Sequence, residues 1–112
     1  MKHFMNLNPA PFLSIKSGEK DVEMRLYDDK RRAINKGDKI EFTNNQTGEK
    51  LVCSVLAVRV FESFDSLYRA YDKTRLGYKP NESACPCDMK QYYPLEQMQK
   101  DGVCAIEIKL DQ

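Results

Sequence analysis

A chain of 112 residues is long enough to bury one core without disulfide staples and too short for two, so a single domain spanning 1–112 is expected. Charged residues are 31% and hydrophobic ones 41% of it, an ordinary soluble balance, and a formal net charge of +1 supplies no global field for holding long nucleic acid irrespective of its sequence. No apolar run approaches the roughly 20 residues that cross a bilayer, and the first residues lack the basic-then-apolar layout of a signal peptide. A cytoplasmic protein without a membrane partner is therefore expected, with its four cysteines as free thiols.

His3–Leu7 reads as a first strand. Asn8 and Pro9 suit the start of a helix, Asn8 as the cap and Pro9 at the first position, and this helix runs to about Ser17 with Phe12, Leu13 and Lys16 in line with Pro9. Gly18 supplies the left-handed residue that ends it. His3, the single histidine, has no partner at motif spacing and is expected at the surface or a strand end rather than as a ligand or base.

From Gly18 to Tyr27 a strand-like alternation of Val22, Met24 and Leu26 carries a dense set of charges. A strand here turns those three residues to the core and Glu23, Arg25 and Tyr27 to the opposite face. Lys20 lies at the turn before the strand, where its ammonium can swing towards Glu23 and Arg25. Two cations and a carboxylate converging at one strand end suit a planar polar ligand. Arg offers a rigid donor fork, Lys a point charge, and Glu an acceptor for amino or hydroxyl groups. The competing reading is a solvated strand face with one ion pair.

Asp28–Arg32, two acids followed by three bases, reads as an exposed turn or short helical loop. Beyond a turn at Gly37, Lys39–Thr43 alternates cleanly with Ile40 and Phe42 towards the core. Asn44–Glu49 is a turn signal, so the next strand, Leu51 to about Phe61, pairs antiparallel with the one before it. That strand is apolar on both parities, as at a bulge or where a strand crosses a small barrel. Ser63 caps a helix reaching Tyr71, with Phe64, Leu67, Tyr68 and Tyr71 as its apolar stripe. Residues 72–90 contain Gly77, Pro80 and Pro86, lack periodicity, and form a candidate lid or cleft wall. A short helix starts at Pro94 and closes at Asp101–Gly102. In the last strand, Val103–Leu110, Cys104, Ile106, Ile108 and Leu110 share the inward parity while Glu107 and Lys109 point out.

Cys85-Pro86-Cys87 offers two thiols that could bind a metal or form a strained disulfide. Structural zinc sites space ligand pairs by about two to four residues and need a full tetrahedral set, so neither a metal nor a cofactor is expected. There is no Gly-rich phosphate loop, Ser/His/Asp set, metalloprotease helix or zinc-deaminase pattern. What remains is Lys20, Glu23 and Arg25 on one strand, Arg31 and Arg32 on the next loop, and Tyr78, Tyr92 and Tyr93 in or beside the irregular region. Basic groups interleaved with aromatics hold a phosphate and stack a base.

Gly18-Glu19-Lys20-Asp21-Val22-Glu23-Met24-Arg25 resembles the Gly-x-Lys-x-x-Glu-x-Arg motif of the ASCH domain. Residues 26–32 and 36–42 look like the small stand-alone bacterial ASCH proteins, and Gly102 to Leu110 resembles their final strand. The resemblance implies an α+β, PUA-like fold, a small and mostly antiparallel β-barrel flanked by short helices, with the motif lining a cleft. It also implies a role in RNA binding or RNA-linked metabolism. One branch of the family hydrolyses the amide of N4-acetylcytidine with a lysine and a threonine from this motif and a distant glutamate. Lys20 falls at that lysine and Glu23 at that threonine.

If the chain is an enzyme, Lys20 and Glu23 are its catalytic candidates, with Glu23 activating water. Flanked by two cations, however, Glu23 is favoured in its ionised, weakly basic form, which suits binding. The leading expectation is a binding module for RNA, a nucleotide or a modified nucleoside, using Lys20, Glu23, Arg25, Arg31, Arg32 and Tyr92. The alternatives are a small amidohydrolase of an acylated nucleoside and a protein-interaction module whose charged strand face docks an acidic partner. A monomer is expected, with weak dimerisation as the other option.

Overall fold

The computed structural model describes residues 1–111. Its elements are β1 (Lys2–Leu7), α1 (Pro9–Lys16), β2 (Val22–Leu26), α2 (Asp29–Arg32), β3 (Lys39–Asn44), β4 (Lys50–Phe61), α3 (Phe64–Ala70), a 3₁₀ helix (Pro86–Gln91), α4 (Leu95–Asp101) and β5 (Val103–Leu110). The strands form one mixed sheet in the order β1-β3-β4-β5-β2, curled into a half-barrel. β1 runs parallel to β3 and every other pairing is antiparallel, the α+β, PUA-like architecture expected from the sequence.

Local chemistry explains the strand connections. Between β3 and β4 the Asn44 side chain accepts a hydrogen bond from the Gln46 amide at 2.9 Å, and Gly48 takes the left-handed conformation with φ of 79°, so the chain reverses tightly. β4 carries a bulge between Val55 and Ala57, which accounts for apolar residues on both of its parities.

Two cores flank the sheet. The first joins Met5, Leu7, Ile40, Phe42, Cys104 and Ile106 to Phe12 and Ile15 of α1. The second joins Val22, Met24, Leu26, Val103 and Ala105 to Phe64 and Leu67 of α3, and to Leu76 and Met89 from the segment that follows it. β5 is therefore buried on both faces, with Val103 and Ala105 as inaccessible as Cys104 and Ile106. This corrects the expectation of a single inward parity. The physical reason is that α3 and the segment after it cover the second face, as near-continuous apolar strands require.

Other local expectations are also corrected. Leu13 is 55% exposed, and Phe12 and Ile15 carry the buried stripe of α1. Asn8 makes no side-chain cap; its Oδ1 accepts from Asn45 Nδ2 at 2.7 Å. His3 sits at a strand end but is buried, with Nε2 2.8 Å from Asp38 Oδ2. Pro94 is the cap of α4 rather than its first residue. Cys85 and Cys87 are joined by a disulfide, so only Cys53 and Cys104, both buried, are free thiols. Among the described residues, no helix is long and apolar enough to cross a membrane.

Candidate functional site

β1 and β2 are the two outer strands of the curled sheet, each hydrogen-bonded on one side only. The seam between them is bridged by side chains. Arg25 Nη2 donates to the Asn6 carbonyl at 3.0 Å, and Lys30 Nζ donates to the Phe4 carbonyl at 2.7 Å. Edge-strand carbonyls that would otherwise await another strand are thus satisfied by cations.

Glu23 and Arg25 alternate with the apolar residues of β2 and lie opposite Ile106 and Cys104 of β5, on the face of the first core. Lys20 reaches them from the turn after α1. Gly18, at φ of 85°, ends that helix, and the Lys20 amide then donates to the Ser14 carbonyl at 3.0 Å. The following residues are tied down by Arg75, whose carbonyl accepts from the Asp21 and Val22 amides and whose Nε donates to Asp21 Oδ1 at 2.8 Å. The lysine stem lies against Gly77, where a Cβ would come within 3.1 Å of Lys20 Cδ.

These constraints place Lys20 Nζ 3.0 Å from Glu23 Oε1 and Arg25 Nε 2.8 Å from Glu23 Oε2. The Glu23 side chain is only 4% exposed and that of Lys20 8%, so this is a buried charge cluster and not a solvated strand face. Burial by itself raises the affinity of the Glu23 carboxyl for a proton, but the charges and hydrogen bonds of Lys20 and Arg25 outweigh it and hold the pKa below its usual value. Arg25 shows the mirror image: desolvation opposes its charge, and Glu23 more than restores it. Both carboxylate oxygens are engaged, so Glu23 works as a fixed anion and a poor proton acceptor.

The cluster forms the floor of a cleft of about 410 Å³. One wall comes from β1 and the start of α1, with Asn6, Asn8, Pro11 and Ser14, joined by Asn45. The other comes from Tyr78, Glu82 and Asp88 of the segment expected to be a lid or cleft wall, together with Gln91, Tyr92 and Tyr93 just beyond it. Tyr93 stacks on Phe64 with ring centroids 6.1 Å apart, which anchors the end of this wall to α3. Tyr92 beside it is 54% exposed at the mouth.

Of the residues singled out in the sequence, Lys20, Glu23, Arg25, Tyr78, Tyr92 and Tyr93 line this one cleft. Arg31 and Arg32 stand apart from it on α2. Arg31 Nη1 pairs with Asp28 Oδ2 at 3.1 Å, and the Arg32 guanidinium lies 4.5 Å from the centre of the Tyr27 ring. Asn6, Asn45, Tyr68 and Asp88 also line the cleft, and the sequence pattern marks none of them as a site residue. Tyr68 falls in the apolar stripe of a helix, and Asn45 reads as an ordinary turn residue. Their shared signal is spatial, since each is a polar side chain brought to the cleft by a different element.

Several solved structures resemble the chain. The crystal structure of hypothetical protein PH0355 is 34% identical, covers 99% of this chain and all of its own, and superposes with a TM-score of 0.86. The solution structure of protein PF0455 from Pyrococcus furiosus is 33% identical over 98% of this chain and 97% of its own, with a TM-score of 0.75. A mutant of ZmASCH from Zymomonas mobilis shares the fold at 14% identity and a TM-score of 0.69, over 96% of this chain and 67% of its own. The likeness thus reaches a Pyrococcus protein and does not single out the small bacterial type. No curated protein sequence matches the chain. The ASCH domain family model matches residues 5–111, so the chain belongs to the ASCH domain family.

Proposed function

We propose that the cleft binds one nucleotide, one modified nucleoside or one unpaired residue of an RNA. The observation that carries this reading is the buried Lys20–Glu23–Arg25 cluster at the floor of a cleft walled by tyrosines. Its volume, about 410 Å³, falls in the range of small-molecule pockets and suits a single nucleoside. Tyr92 and Tyr93 offer apolar faces for a base, while Lys20 and Arg25 offer donors for a base carbonyl or a phosphate. The family's PUA-like fold, often linked to RNA binding, supports the same reading.

Arg31 and Arg32 would add backbone contacts only to a ligand extending past the cleft. Hydrolysis of an acylated nucleoside is the weaker reading for this site. Glu23 stands where the amidohydrolase branch has its threonine, and its engaged, ionised carboxylate is poorly placed to take a proton from water.

Calorimetry with mononucleosides, mononucleotides and a short unpaired oligoribonucleotide, at low and high salt, tests the proposal. Expected is saturable binding of the single residue, a shallow salt slope, and strong loss of affinity in Tyr92→Ala. Steep salt dependence with no binding of single residues would replace the cleft with a generic electrostatic surface. Turnover of N4-acetylcytidine by the parent protein would favour the hydrolase.

A further inference from the structure

Three cleft residues that the cluster on the floor does not use form a hydrogen-bonded chain. Tyr78 Oη lies 2.6 Å from Asp88 Oδ2 and 3.2 Å from the Cys85 carbonyl, and Tyr68 Oη lies 2.9 Å from Tyr78 Oη. The direction of every proton in this chain is fixed by elementary bookkeeping. A carboxylate oxygen and a carbonyl oxygen can only accept, so the single Tyr78 proton points to them. Tyr78 has then no proton left for its neighbour, and the contact with Tyr68 requires the Tyr68 proton. The Tyr68 oxygen therefore keeps an acceptor lone pair and has no donor to offer. Neither phenol ionises readily: burial raises both above the ordinary tyrosine range, the hydrogen bonds to Asp88 and Tyr68 add to it at Tyr78, and at Tyr68 the bond to Tyr78 opposes burial without outweighing it.

We infer that Tyr68 is a specificity-determining residue that reads an amino group on the ligand base and rejects a carbonyl in the same place. This rests on the reading of the cleft as a nucleoside site and deepens it. Tyr68 is partly buried and Asp88 is exposed, both on the cleft wall, so in this assignment the base would lie at Tyr68 and the ribose nearer Asp88. An exocyclic amine donates to the free lone pair. A keto oxygen brings one acceptor against another and stays unpaired in a partly desolvated place.

The test compares bases that differ at that position, cytidine against uridine and adenosine against inosine, by calorimetry on the parent, Tyr68→Phe and Tyr78→Phe. The parent should bind the amino member of at least one pair about tenfold tighter or more, as a mismatched hydrogen bond demands. Tyr68→Phe should erase that preference. Tyr78→Phe is the sharper variant, because it leaves the Tyr68 hydroxyl in place but frees its proton to turn. It should keep the affinity for the amino base while raising that for the keto base, which a merely structural role would not do. Equal binding of both members by the parent, or a preference that survives both variants, overturns the assignment and leaves the nucleoside site standing. If none of the four nucleosides binds, the nucleoside reading falls and takes this assignment with it. A ligand-free check is the ultraviolet titration of the phenols. Asp88→Asn should bring one tyrosine down towards its ordinary range, and an unchanged titration curve would show that the chain does not hold in solution.

Discussion

Arg25 holds two partners on opposite sides of a seam: its Nη2 donates to the Asn6 carbonyl at 3.0 Å, and its Nε to Glu23 at 2.8 Å. The same guanidinium therefore closes the half-barrel and shapes the cleft. Arg25→Ala should cost about 3 kcal/mol, the usual cost of removing one partner of a buried pair, and should abolish ligand binding. Arg25→Lys should recover little of either, because one ammonium cannot reproduce a fork that reaches two acceptors. Urea unfolding measures the first effect. A midpoint equal to that of the parent would mean that the clasp contributes nothing to stability.

Glu23 predicts a pH dependence with a definite sign. Its folded pKa lies below the unfolded value, so its stabilisation is fully present above the unfolded pKa of about 4.3 and is lost as pH falls through the folded one. Glu23→Gln should be less stable than the parent at neutral pH by about 3 kcal/mol, since Lys20 and Arg25 lose their buried counter-charge. That gap should narrow on acidification. Unfolding free energies at a series of pH values give the comparison, and a gap that stays constant would locate the acid sensitivity elsewhere.

Gly77 should prove necessary for the position of Lys20. At φ of 108°, with a Cβ only 3.1 Å from Lys20 Cδ, Gly77→Ala strains the backbone and displaces the lysine stem. Gly48, at φ of 79° with nothing within 4 Å, is the matched control. Both alanine variants should lose roughly 1–3 kcal/mol to backbone strain. Only Gly77→Ala should also weaken ligand binding, and similar affinities in the two variants would remove Gly77 from the site.

The cysteines should separate into two chemical classes. Burial pushes the Cys53 and Cys104 thiols up to about 12, so almost no thiolate exists at neutral pH and a disulfide reagent should find neither in the native protein. Mild reduction should expose the Cys85 and Cys87 pair, and unfolding should release the other two. Rapid labelling of unreduced native protein at Cys104 would place that residue outside the core.

The sequence made the strands legible because one-sided alternation in β3 and punctuation at Asn44–Glu49 and Gly102 are local signals. The convergence of Lys20, Glu23 and Arg25 was legible for the same reason, since a turn and one strand parity bring them together. Burial of that cluster was not. It depends on Gly77 and the tyrosines of residues 68–93 folding over β2, and nothing in the charge pattern of Gly18–Tyr27 distinguishes a solvated face from a covered one. Asn8 failed as a cap for a related reason: its side chain was taken by Asn45, a residue brought close only by the parallel pairing of β1 with β3.

The place of β5 in the sheet bears on how the protein is made. β2 carries the motif, yet its only strand partner is β5, and the contact between Leu26 and Cys104 joins residues 78 positions apart. During synthesis the hairpin of β3 and β4 can form early, with β1 beside it, while β2 waits unpaired until the last strand slots between it and β4. Charges on an unpaired strand disfavour pairing with other exposed edges, and β2 carries Glu23 and Arg25 with Lys20 just before it. The residues that define the cleft in the finished protein would then also guard the nascent chain against mispairing.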